Sequence, residues 1–99
     1  MKTYELEFLE DALKEWHKLD GTIREQFKKK LEERLQNPHV PSARLSGMPH
    51  CYKIKLRELG YRLVYQVIDQ EVVVVVVAVG KRERSLVYEI AARRLRRKS

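Results

Sequence analysis

The residues of this chain whose types and spacing could do chemistry are a few cations and a phenol. Lys53 and Lys55 alternate with Tyr52, Ile54 and Leu56, so an extended strand would project the two lysines from one face and the apolar three from the other. Arg62 lies in the next apolar run. An even-length hairpin loop, either Arg57 to Gly60 or Glu58-Leu59, sets Leu56 opposite Tyr61 and Lys55 opposite Arg62. Like charges directly opposite each other destabilise a sheet by up to about 1 kcal/mol per pair. The cluster is therefore either a site expecting an anion or an ordinary solvated strand face. Tyr88 follows a second group of cations, Lys81, Arg82 and Arg84. Nearby positive charge favours the phenolate and would lower a phenol pKa from its free value of about 10, making Tyr88 a proton acceptor; the alternative is a core tyrosine with its hydroxyl tied down.

Other chemistries find little support. Cys51 is the only cysteine, which excludes an internal disulfide and a cysteine metal cluster, and it reads as a small buried apolar residue. His17, His39 and His50 have no ligand spacing and read as surface residues, with His50 a weak site candidate because it adjoins Cys51. There is no glycine-rich phosphate loop and no carboxylate cluster for a catalytic metal, so neither a metal nor a cofactor is expected.

The elements that must position these residues follow from periodicity. Thr3 to Phe8 alternates as a half-buried strand, with Tyr4, Leu6 and Phe8 inward. Leu9, Leu13, Trp16 and Leu19 form one helical stripe, ended by Asp20-Gly21. Thr22 and Glu25 fit a capping box ahead of Ile23, Phe27, Leu31 and Leu35, which together predict a helical hairpin. Asn37-Pro38 stops the second helix, and Pro41, Gly47 and Pro49 keep the chain irregular to about His50. Strand-like runs follow at Cys51 to Leu56, Tyr61 to Ile68 and Val72 to Val79, close enough for an antiparallel meander. The third run is apolar on both faces and belongs in the middle of a sheet covered on both sides. After Gly80 a helix is expected, with Ser85 as N-cap and Leu86, Val87, Ile90, Ala91 and Leu95 as its apolar side. The order β-α-α-β-β-β-α in 99 residues is a single α+β domain. A chain this short buries only about two-thirds of its unfolded surface, so any active site should be an open one.

The chain carries a formal charge of +7, from 21 Lys plus Arg and 14 Asp plus Glu. Residues 81–99 hold eight basic and two acidic side chains, which is nearly the whole excess. So dense a positive end attracts a polyanion, nucleic acid first, or else is a solvated tail frayed over residues 93–99. No apolar stretch of signal-peptide type or membrane-span length is present, so a cytoplasmic address and no membrane partner are expected.

The segments Ala12 to Trp16, Gly47-Met48-Pro49, Cys51 to Arg57, Gly60 to Val67 and Gly80 to Arg84 resemble the RelE toxins of bacterial toxin–antitoxin systems. The likeness runs in order from about Tyr4 to about Tyr88, nearly the whole chain. It implies the RelE/ParE fold: a small antiparallel sheet, the helical hairpin packed on it, and a C-terminal helix that the antitoxin can displace. The implied activity is metal-independent endonucleolytic cleavage of mRNA in the ribosomal A site. By the same resemblance Lys53, Lys55 and Arg62 would hold the scissile phosphate, Arg82 would stabilise or protonate the leaving side, and Tyr88 would help activate the 2′-hydroxyl. A guanidinium is a poor proton donor, since its pKa exceeds about 12, so charge stabilisation is the first role expected of Arg82. Some RelE toxins carry a basic residue where Ser46 stands here; Arg44 is the candidate substitute, and with Lys81 and Arg84 it is expected to contact RNA or ribosome. The implied partners are a RelB-like antitoxin, the ribosome with its 16S rRNA, and operator DNA reached through the antitoxin complex. The competing readings are a ParE-like non-nuclease acting on DNA gyrase, which would not need this residue set, and a plain basic nucleic-acid-binding module.

Overall fold

The valine-rich segment organises the architecture. In the computed structural model, which describes residues 3–81, 83 and 86–98, the elements run β1 (Glu5–Phe8), α1 (Glu10–Lys18), α2 (Gly21–Gln36), a 3₁₀ turn (Pro41–Ala43), β2 (Cys51–Leu56), β3 (Tyr61–Ile68), β4 (Val73–Lys81) and α3 (Leu86–Lys98). The sheet order is β1-β4-β3-β2. The expected meander holds for β2, β3 and β4, which pair antiparallel. β1 joins β4 in parallel, making the sheet mixed; a strand leading into a helical hairpin returns to the sheet only by a long crossover, which allows this direction.

β4 is central, and Val73 to Val79 are all buried. Val74, Val76 and Val79 pack with Ile23, Phe27, Leu31, Ile54 and Leu63 under the helical hairpin, while Val77 and Ala78 pack with Cys51, Val64, Val87 and Ala91 under α3. Two successive residues share the α3 face because the β3–β4 register slips at Val64/Tyr65: Val64 pairs with Ala78 and Tyr65 with Val76, leaving Val77 as the extra residue of a bulge.

Most helical expectations hold, with local differences. On α1 it is Ala12 that is fully buried, whereas Leu13 is 39% exposed, so the helix sits rotated toward its small residue. Trp16 packs between Phe8 and Phe27, at centroid distances of 5.3 and 6.3 Å. α2 is capped two residues before the expected Thr22: Asp20, expected with Gly21 to end α1, is its N-cap, accepting from the Gly21 amide at 3.1 Å, and Thr22 lies in the first turn. Leu86, expected on the apolar side of α3, is 44% exposed, and Ser85, its expected cap, lies outside the described residues. The basic end expected to fray from residue 93 is helical through Lys98.

One of those C-terminal cations has a structural task. β1 stops at Phe8, opposite Val76, so the rest of β4 has no strand on that side. Glu15 of α1 accepts from the Val79 amide at 3.2 Å, and Arg94 of α3 donates to the Val77 carbonyl at 2.9 Å. The two side chains also pair with each other, Arg94 Nη1 and Nη2 reaching Glu15 Oε1 and Oε2 at 2.8 and 2.9 Å. Together they occupy the place of a missing strand. Arg94→Ala removes these charged hydrogen bonds, leaving the Val77 carbonyl without this donor and the half-buried Glu15 carboxylate with its bond from the Val79 amide but no cation; chemical denaturation should show a loss of about 2 kcal/mol.

The β3–β4 turn carries strain. Val72 has φ +55°, a left-handed conformation that a β-branched side chain adopts at a cost of about 1–2 kcal/mol. Its carbonyl accepts from the Glu5 amide at 2.9 Å, so the turn geometry is tied to the β1 pairing. Val72→Asn, which tolerates this conformation, should raise the unfolding free energy by about 1 kcal/mol, read as a shift of the denaturation midpoint at constant m-value.

Candidate active site

The hairpin between β2 and β3 decides which cations meet. Its loop is Arg57 to Gly60, closed by a 2.8 Å hydrogen bond from the Gly60 amide to the Leu56 carbonyl, with Gly60 at φ +72° where any side chain would be strained. This loop has the even length the sequence allowed. Leu56 stands opposite Tyr61 and Lys55 opposite Arg62. Tyr52, Ile54 and Leu56 pack under the helical hairpin, so strand alternation turns Lys53, Lys55 and Arg62 to the α3 side of the sheet. Across from Arg62 on β4 stands Gly80, which puts no side chain in that place.

α3 brings the phenol to the same face. Val87 and Ala91 anchor it in the core, and the Arg62 guanidinium lies over the Tyr88 ring, 5.0 Å from its centroid. The Tyr88 hydroxyl is buried and has no hydrogen-bond partner among the described residues. Here the structure corrects the electrostatic expectation. Burial pushes the Tyr88 phenol above its usual pKa, and the Arg62 charge only partly offsets that rise. Tyr88 is thus a neutral phenol at neutral pH, not a ready phenolate. Cys51 is no alternative nucleophile, since burial drives its thiol up to about 11.

The structure therefore brings together Lys53, Lys55, Arg62 and Tyr88. It does not bring Arg44 or Lys81 to them. Arg44 bridges Tyr52 at the β2 edge, and with Leu45 packed on the α3 side, alternation turns Arg44 to the opposite face. Lys81 pairs with Tyr61, whose side chain packs under the helical hairpin, so it too belongs to the other face. Arg82 and Arg84 lie outside the described residues. No group of three or more His, Cys, Asp or Glu that could hold a metal occurs among the described residues.

His39, read as a surface residue, has a structural part that periodicity could not reveal. Its Nε2 lies 2.8 Å from Asp69 Oδ1 and its Nδ1 2.9 Å from the Tyr52 hydroxyl, while the Tyr4 hydroxyl donates to the same Asp69 oxygen at 2.6 Å. These contacts, Tyr4 first and then His39, hold the Asp69 carboxyl below its ordinary pKa. They clasp the start of β1, the loop after α2, β2 and the β3–β4 turn at the end of the sheet away from the cations.

In sequence and overall fold the chain matches known proteins. The family model described as the ParE toxin of type II toxin–antitoxin system, parDE, matches residues 6–86. The mRNA interferase toxin RelE of Escherichia coli K12 is 63% identical over 92 residues, 93% of this chain and 97% of the relative. The mRNA interferase RelE of Shigella flexneri shows the same figures. Among solved structures, a doubly substituted E. coli toxin RelE in the free state superposes with a TM-score of 0.87 at 60% identity, covering 94% of this chain and 98% of the other. The toxin of the intact E. coli RelBE toxin–antitoxin complex superposes with a TM-score of 0.79 at 64% identity, covering 82% and 99%. With family, relatives and fold in accord over nearly its whole length, the chain belongs to the RelE toxins of the RelE/ParE superfamily.

Proposed function

We propose that this chain is the toxin of a type II toxin–antitoxin pair and cleaves mRNA in the ribosomal A site without a metal. The observation that carries the reading is Lys55 set directly opposite Arg62, with Lys53 on the same sheet face and Arg62 against Tyr88. Opposed cations repel, and a phosphodiester between them converts that repulsion into binding. In the proposed reaction the 2′-oxygen of the nucleotide before the cut attacks the phosphorus. A 2′O–P bond forms as the 2′-hydroxyl proton leaves, the P–O5′ bond breaks, and the departing 5′-oxygen takes a proton from water, giving a 2′,3′-cyclic phosphate and a 5′-hydroxyl. Lys53, Lys55 and Arg62 neutralise charge growing on the phosphoryl oxygens, Arg82 steadies the leaving oxygen, and Tyr88 takes part in moving the 2′-hydroxyl proton. Arg44, Lys81 and Arg84 serve as outlying contacts to RNA or ribosome.

The RelE relatives are named mRNA interferases and one RelE structure is a complex with RelB, which supports both the activity and a RelB-like antitoxin as partner. The toxin acts in the bacterial cytoplasm, where the ribosome is, and the antitoxin complex binds its own operator DNA. A gyrase-directed ParE activity is the weaker reading because it gives the Lys53, Lys55, Arg62 and Tyr88 grouping no task. A plain nucleic-acid-binding tail is weaker still, since Arg94 is spent on Glu15.

Arg62→Ala should slow single-turnover cleavage on programmed ribosomes by at least tenfold with the fold intact by circular dichroism, because one well-placed donor is worth about 3 kcal/mol in a transition state. Wild-type rates in this variant would remove the phosphate-holding assignment. For Tyr88 the raised pKa fixes the sign of the pH dependence. If the phenolate accepts the proton, the reactive fraction grows with pH throughout the range below about 10, and cleavage climbs roughly tenfold per pH unit. Tyr88→Phe should then lose both rate and slope while keeping ribosome affinity. Equal rates for Phe and Tyr at every pH would leave Tyr88 as a stacking platform, a role needing only the ring.

A further inference from the structure

The lysines of the proposed site are set on a less secure strand than Arg62. Arg62 lies on β3, with a strand on each side, whereas Lys53 and Lys55 lie on β2, an edge strand that pairs with β3 alone. Along such a strand alternate residues turn their amides and carbonyls away from the sheet, and without partners there the strand opens more easily. β2 draws partners from elsewhere in the chain. The Cys51 carbonyl accepts from the Leu45 amide at 3.0 Å, beside the isolated bridge between Arg44 and Tyr52. The Lys53 carbonyl, two residues on and pointing the same way, accepts from Arg34 Nη1 at 3.2 Å. Arg34 is itself held in place. The same Nη1 donates to the Tyr65 hydroxyl at 2.9 Å, and that hydroxyl donates its own proton to the Pro38 carbonyl at 2.8 Å. The Arg34 guanidinium carbon lies 5.7 Å from the centroid of the Tyr65 ring, and Tyr65 is fully buried and stacked on Tyr52, so the guanidinium rests against the core.

Resting on the nuclease reading above, we infer that Arg34 is a positioning residue for Lys53: by holding the carbonyl of that residue it fixes the backbone from which the Lys53 ammonium reaches the scissile phosphate. Arg34 itself touches no substrate. It stands in the last turn of α2, on the helical-hairpin side, while the Lys53 side chain projects from the α3 side. The two need share no face, because a strand carbonyl lies in the plane of the sheet and this one is met at the strand's outer edge. Losing the bond leaves β2 paired with β3 through its inward groups, so the fold persists while Lys53 takes up a wider range of positions. Lys53 is half-buried, so its packed stem carries a backbone shift through to the ammonium. Placement is what gives a cation its effect on a transition state: an error of an ångström can cost about a hundredfold, and a strand still paired on one side should shift by less.

The test is single-turnover cleavage on programmed ribosomes at saturating toxin, with affinity measured separately on a message 2′-O-methylated at the cut nucleotide so that binding is read without cleavage. Arg34→Ala should lower the saturating rate by about fivefold and leave affinity within about twofold of the parent. Arg34→Lys, which keeps a charged donor for the carbonyl, should recover most of the rate. In a Lys53→Ala background Arg34→Ala should cost nothing further, because the side chain it positions is gone. In the free chain labelled with carbon-13 at the Lys53 carbonyl, Arg34→Ala should move that resonance upfield and Arg34→Lys should bring it back. Circular dichroism should stay unchanged. Additive losses from Arg34→Ala and Lys53→Ala would overturn the inference, and so would a parental rate in Arg34→Ala or an unmoved carbonyl resonance. A rate loss that vanishes once corrected for the folded fraction would overturn it too, leaving Arg34 a role in stability alone. A parent that binds ribosomes but never cleaves would refute the nuclease reading, and the carbonyl resonance would then decide by itself whether Arg34 holds Lys53.

Discussion

The structure depends on how the unpaired half of β4 is satisfied. From Val77 to Val79 the strand is buried and has no neighbour on the β1 side, a position where bare backbone amides and carbonyls would cost about 1–3 kcal/mol each. Glu15 and Arg94 take up the Val79 amide and the Val77 carbonyl and pair with each other, joining a helix from each side of the sheet to the same stretch of strand. The β-bulge belongs to the same solution, since it gives the α3 face two successive small side chains, Val77 and Ala78, for α3 to pack against. α3 is thus positioned by a polar clamp and a small-residue seat, and the position of Tyr88 over Arg62 follows from it.

That arrangement divides the basic C-terminal segment into cations with different work. Arg94 is nearly covered and its guanidinium fork matches the Glu15 carboxylate two bonds to two, so its charge is consumed within the fold. Arg97 reaches Asp11 only at 3.7 Å with both side chains largely exposed, a contact that contributes little. A count of charges along the sequence treats these residues alike. Their surroundings separate a structural cation, Arg94, from one whose contact is weak, Arg97.

Much of the architecture was legible because it rests on local periodicity. The Ile23, Phe27, Leu31 series, the alternation through Tyr52, Ile54 and Leu56, and the two-faced valine run each encode a burial pattern that the fold obeys. The Lys55–Arg62 pairing was legible too, because an even loop leaves one register that buries both apolar faces. What was hidden depends on tertiary distance. The partnership of Glu15 with Arg94 spans 79 positions, and that of Tyr4 with Asp69 spans 65, neither with any local pattern. The misjudged sign of the Tyr88 shift has the same origin, since cations close in sequence were weighed while the burial supplied by α3 packing on the sheet was not.

A neutral phenol with its hydroxyl buried, beside half-buried cations, also says how the proposed chemistry must be shared. Each well-placed cation can contribute about 3–4 kcal/mol to a developing phosphoryl charge, whereas aligning a nucleophile with its target is worth about 7–11 kcal/mol. Charges set on a sheet face neutralise, but do not by themselves force a 2′-hydroxyl into line with the departing 5′-oxygen. The larger contribution must come from a surface that already constrains the RNA backbone. A decoding site that fixes the codon meets that need, and a sheet face offering charge without enclosure can reach into it. On the proposed function, cations set on a sheet face beside a protonated tyrosine are the features expected of a chain whose substrate arrives pre-aligned.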